Sequence, residues 1–195
     1  MVNKLQILLL LLNIFFVCIP SSYSQFINNN NNITTNPAEQ IIPSPSPPNS
    51  NEINLKNNII GTLNDDRIIG TPGIDVIIGL PGSDNIRGGN DTDVIQGDED
   101  ADRLYGEKGN DIIQGGLGSD QVYGGDNDDI LTGGVDDDLV LGENGNDKIY
   151  GDLGDDVLAG GNGADYFDCG DGIDVLIDFN LEEGDDRAGN CEELF

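Results

Sequence analysis

An aspartate recurs at every ninth residue over much of the chain: Asp66, Asp75, Asp84, Asp93, Asp102, Asp111, Asp120, Asp129, Asp138, Asp147, Asp156, Asp165 and Asp174. A carboxylate can serve as a general acid or base, as a nucleophile, or as a hard oxygen ligand, and the spacing separates these uses. Glycoside chemistry sets two carboxylates against one bond, whereas thirteen equivalent ones in a row describe a repeated site. The chain has no His and 3 Cys. A Ser-His-Asp triad and the zinc-protease helix motif are therefore excluded, and zinc and copper lack their preferred ligands. What is left is oxygen: carboxylates, and the carbonyls of the glycine-rich segments between them. Calcium accepts about six to eight oxygens in flexible geometry, while magnesium holds to a smaller, partly hydrated octahedron. The row predicts multiple Ca2+ ions, with those thirteen Asp side chains as ligands.

The overall charge agrees. Acidic residues number 37 against 8 basic ones, a formal charge of −29. Such a chain attracts cations and repels nucleic acid and anionic membrane surfaces.

From Gly61 to Ile177 the sequence divides into thirteen nine-residue units without insertion or deletion. In each unit Asp stands sixth and an apolar residue eighth: Ile68, Ile77, Ile86, Ile95, Leu104, Ile113, Val122, Leu131, Val140, Ile149, Leu158, Phe167 and Leu176. Position one is Gly except at Cys169, and position four is always Gly, Asn or Asp. Those three residues tolerate a left-handed backbone, which predicts positive φ at position four in every unit. Positions seven to nine, rich in β-branched and apolar residues, suit a strand of about three residues, and positions one to six are turn material.

One strand and one loop reverse the chain, so two units complete a coil of about 18 residues. The fold class expected is all-β, a solenoid of two stacked parallel sheets with position eight turned inward and the loops in two columns. Coils about 4.8 Å apart bring each Asp beside the one two units later. Two carboxylates about 5 Å apart repel by roughly 3 kcal/mol at an effective dielectric of 20. A core one side chain deep offers little to set against that, so cations are expected between the Asp residues, up to about 11 Ca2+.

The units GGLGSDQVY (115–123) and GGNGADYFD (160–168) match G-G-x-G-x-D-x-U-x in full, and GEKGNDIIQ, GENGNDKIY and GDLGDDVLA miss only the second Gly. The chain thus resembles the RTX (haemolysin-type) calcium-binding nonapeptide repeats. The resemblance implies a right-handed parallel β-roll whose six-residue loops bind Ca2+ through loop carbonyls and the position-six Asp of successive coils. Units one to three depart from it, with Thr62, Thr71 and Leu80 at position two and Pro72 and Pro81 at position three. Weaker or different binding is expected in those loops. Units four, five, eight and nine have Asp91, Asp100, Asn127 and Asp136 at position four; these groups could add side-chain oxygens to the site, but for the Asp residues solvated surface is the preferred reading.

The flanks divide as follows. Residues 1–24 carry Lys4, an apolar run from Ile7 to Ile19 broken only by Asn13, and Ser22-Tyr23-Ser24. This is the pattern of a secretory signal peptide cleaved after Ser24, its run shorter than the about 20 residues that span a bilayer. The protein is expected to be secreted, with no membrane span in the mature chain. Residues 25–51, with five consecutive Asn and the tract PSPSPP, form a disordered linker. Residues 52–60 keep an apolar eighth residue, Ile59, but have Asn57 for Asp, as an N-terminal capping repeat would. The calcium-binding roll occupies 61–177 and a C-terminal cap or tail 178–195. Loss of Cys18 would leave Cys169 and Cys191, expected to pair as a disulfide outside the cell.

No separate catalytic domain fits beside the repeats, so a non-enzymatic protein is expected, folding on extracellular Ca2+ in a structural, cell-surface or matrix role. The alternatives are an adhesin or surface-layer component, or an accessory module of a secreted hydrolase. The sequence names no protein or glycan partner.

Overall fold

The computed structural model describes residues 57–191. The signal segment, the linker, residues 52–56 of the cap and residues 192–195 lie outside the described residues.

A unit that alternates one apolar side chain with solvent-facing neighbours buries that side chain only when a second strand faces it. The chain meets this by sending successive units to opposite sheets. β1 (Asn58–Ile60), β3 (Val76–Ile78), β5 (Val94–Glu99), β7 (Ile112–Leu117), β9 (Ile130–Val135), β11 (Lys148–Leu153), β13 (Tyr166–Asp168) and β15 (Asp186–Arg187) form an 8-stranded sheet in that order. β2 (Arg67–Ile69), β4 (Asn85–Gly89), β6 (Arg103–Lys108), β8 (Gln121–Asp126), β10 (Leu139–Asn144), β12 (Val157–Asn162) and β14 (Val175–Leu176) form a 7-stranded one. Each strand pairs in parallel with the strand one coil away, with Ile59 opposite Ile77, Ile113 opposite Leu131 and Val122 opposite Val140. The result is the all-β parallel solenoid expected from the repeat.

The core is one side chain deep. Position-eight residues from Ile77 to Phe167 are buried, while Ile59 and Leu176 at the ends are only partly covered.

Two local expectations need correction. The interior strands from β5 to β12 are six residues long, running through position three of the following unit. Loops stacked in register on like loops find partners for their backbone groups as strands do. Thus Gly118 N–H donates to Val135 O at 3.0 Å, and Gly116 pairs with Gly134. Positive φ at position four holds from Gly73 onward but not at Asn64, whose loop has no coil stacked above it among the described residues. Position two is left-handed as well from Leu80 onward, including Asp98, Glu107, Glu143 and Asp152.

The repeat pattern stops at Ile177, but the solenoid does not. β15 pairs with β13, and Arg187 stands opposite Phe167 where an apolar residue would continue the core. Phe179 meets Phe167 edge-on at 6.1 Å between ring centres, and the Arg187 guanidinium lies 4.9 Å from the Phe179 ring centre. A disulfide joins Cys169 to Cys191, tying the tail to the last coil.

Candidate metal centre

The period of nine with two units per coil places the thirteen Asp side chains in two columns. Asp66, Asp84, Asp102, Asp120, Asp138, Asp156 and Asp174 follow one another at one turn, and Asp75, Asp93, Asp111, Asp129, Asp147 and Asp165 at the other. Within each column the backbone N–H of one Asp donates to Oδ1 of the Asp one coil later, at 2.7 to 3.0 Å. The two carboxylates are thus linked through backbone instead of merely facing each other, and one oxygen of each is satisfied.

The second oxygen is not. Oδ2 is buried and has no hydrogen-bond partner in Asp84, Asp93, Asp102, Asp111, Asp120, Asp129, Asp138, Asp147, Asp156 and Asp165. A buried carboxylate oxygen without a donor carries a large desolvation penalty. Burial accordingly raises these groups from the ordinary 3.8: to about 8 at Asp129 and Asp138, to about 7 at Asp93, Asp102 and Asp147, and to about 6 at Asp111, Asp120 and Asp156. The backbone N–H lowers each, and neighbouring carboxylates raise most of them further.

A position-one side chain would point at this Oδ2. A Cβ added at Gly79, Gly97, Gly106, Gly124 or Gly142 would run into Oδ2 of its own unit's Asp and the position-one carbonyl of the next coil. Glycine is needed there for space, since its φ is not in the left-handed region. Carboxylate oxygen and main-chain carbonyl converge on one spot, and each carbonyl has two lone pairs. Among the described residues no three Asp, Glu, Cys or His side chains gather as a metal cluster, so a cation's other donors would be loop carbonyls. That all-oxygen set fits Ca2+.

Asp66 and Asp75 differ from the rest. Thr62 donates its N–H to Asp66 Oδ2 at 2.5 Å, and Thr71 donates its N–H to Asp75 Oδ2 at 2.6 Å. A further member is Asp185, whose Oδ1 accepts the Asp165 N–H at 3.0 Å. It follows Asp174 by eleven residues, so a search at fixed period passes over it. Asp91, Asp100 and Asp136 are exposed at the loop surface, in left-handed conformation.

Two stacked parallel sheets, joined by columns of buried carboxylates and converging carbonyls, define a cation-binding β-solenoid. The description RTX calcium-binding nonapeptide repeat (4 copies) matches at residues 60–95, 87–122, 105–140, 123–158 and 141–176. The chain belongs to that family, whose repeats bind Ca2+. A comparison with curated proteins returns no match.

Proposed function

We propose that the protein is a secreted, non-enzymatic calcium-binding protein whose solenoid is completed by extracellular Ca2+ and which serves a structural or cell-surface role. The observation that supports the calcium reading is the row of buried Oδ2 atoms without donors from Asp84 to Asp165. At neutral pH such a row is stable only with protons or cations on it. Bound calcium supplies positive charge and a demand for oxygen ligands. The position-six Asp residues hold the ion, the position-one glycines leave it room, and position-two and position-four backbone in left-handed conformation turns the loop. Extracellular calcium modules bind at about 10⁻⁴ to 10⁻³ M, so the chain remains unfolded where calcium is scarce and folds outside the cell. Among the described residues no helix is long and apolar enough to cross a membrane.

Circular dichroism of the purified chain during a calcium titration tests the reading. A cooperative gain of β-structure by low millimolar Ca2+, with a weaker response to Mg2+, is expected. No gain, or an equal response to Mg2+, would overturn it.

A further inference from the structure

The position-six carboxylate is held in two ways in this chain, and the residue at position two distinguishes them. From unit three onward position two has positive φ, at Leu80 (74°), Asp98 (97°), Glu107 (73°), Glu143 (76°) and Asp152 (74°) as well as at the glycines that share the position. This conformation is unfavourable for Leu80, Glu107 and Glu143, which lack the freedom of glycine. In these loops no position-two N–H donates to Oδ2, which is left bare from Asp84 to Asp165.

Units one and two have the other arrangement. Thr62 and Thr71 are not left-handed. Thr62 gives Asp66 Oδ2 its N–H at 2.5 Å and its hydroxyl at 3.0 Å. Thr71 gives Asp75 Oδ2 its N–H at 2.6 Å, and its hydroxyl lies 2.9 Å from Oδ1 and 3.3 Å from Oδ2. Asn57, which replaces Asp one coil earlier, donates from Nδ2 to Thr71 Oγ1 at 2.6 Å. An amide, a hydroxyl and a carboxylate form a closed chain of donors with no like-charge pair in it.

Proline is not the cause. Unit two (GTPGID) and unit three (GLPGSD) share Pro at position three and Gly at position four, yet only the second is open. Leu80 has no hydroxyl to give, and Thr71 has. The tail repeats the device: Asp185 Oδ2 accepts the Asn180 N–H at 2.7 Å, so the last carboxylate of that column is also satisfied by protein.

We propose that Thr62 and Thr71 are built-in substitutes for the cation. They fill the carboxylate oxygen that later loops leave open, so the first coil closes without metal and calcium binding begins at the loop of Asp84. The proposal rests on the calcium reading above, and it removes Asp66 and Asp75 from the set of ligands.

Native mass spectrometry of the calcium-loaded full chain counts the ions. Thr71→Leu, which gives unit two the position-two residue of unit three, is expected to bind one ion more than wild type. Leu80→Thr is expected to bind one fewer and to need less calcium to reach half-maximal folding by circular dichroism. Thr71→Ser keeps the donor and is expected to leave the count unchanged. Equal counts in wild type, Thr71→Leu and Leu80→Thr would overturn the proposal, as would a gain in Thr71→Ser. A wild-type chain that binds no calcium would instead overturn the calcium reading itself.

Discussion

At Asp129 the two carboxylate oxygens have separate duties. Oδ1 accepts the N–H of Asp111 at 2.7 Å, while Oδ2 is buried without a donor. Asp129→Asn keeps the acceptor and removes the charge. The variant is expected to bind one Ca2+ fewer by calorimetry and to hold more β-structure than wild type in chelator above about pH 8, because one buried charge has gone. An unchanged stoichiometry would show that Asp129 is not a ligand. Gly124→Ala tests the same place without altering charge. Its added Cβ would meet Asp129 Oδ2 and the Gly142 carbonyl, so loss of the ion is expected together with about 1–3 kcal/mol of strain in the calcium-loaded fold. A normal melting temperature and a normal ion count in Gly124→Ala would contradict the assigned geometry.

The elements at the two ends carry what the repeat cannot supply. A solenoid coil is covered by its neighbours, so the last coil needs a different cover. Phe179, Arg187 and the Cys169–Cys191 disulfide provide it here. With a sequence separation of 22, the disulfide limits the unfolded chain by about 3 kcal/mol. Cys191→Ala is expected to lower the melting temperature in saturating calcium and to raise the calcium concentration at the folding midpoint. Identical melting of the variant and wild type would mean that the tail contributes nothing to the roll. The strands, their alternation between sheets and the buried row from Ile77 to Phe167 were legible in the sequence, because a period of nine with one apolar centre admits few other arrangements. The six-residue strand length was not, since the pairing of loop backbone depends on the coils above and below. Asp185 was hidden by two extra residues that break the period. The role of Thr62 and Thr71 was visible only as a departure from the motif, because which way a position-two N–H points is a matter of backbone conformation.

For the whole molecule the charge of −29 makes protons and cations competitors for the same oxygens. In the calcium-free fold the position-six Asp residues from Asp93 to Asp156 titrate well above the ordinary 3.8, with Asp156 at about 6, Asp102 at about 7 and Asp138 at about 8, chiefly through burial. A carboxylate whose folded pKa lies above its unfolded value binds more protons folded than unfolded between those two values, so folding weakens as pH rises across that interval. The calcium-free chain is therefore expected to be most structured near about pH 4 and to lose β-structure progressively toward about pH 8. Calcium must displace the protons, so binding in the neutral range releases them and tightens as pH rises, until the carboxylates are fully ionised. Circular dichroism across this range in chelator, and calorimetry in buffers of different ionisation enthalpy, measure the two effects. A chelated chain equally unfolded at about pH 4.5 and about pH 8, or calcium binding without proton release near about pH 7, would mean that the buried oxygens do not govern folding. The opposite outcome would make acid and calcium two routes to one fold, with calcium the only one open at the pH outside a cell.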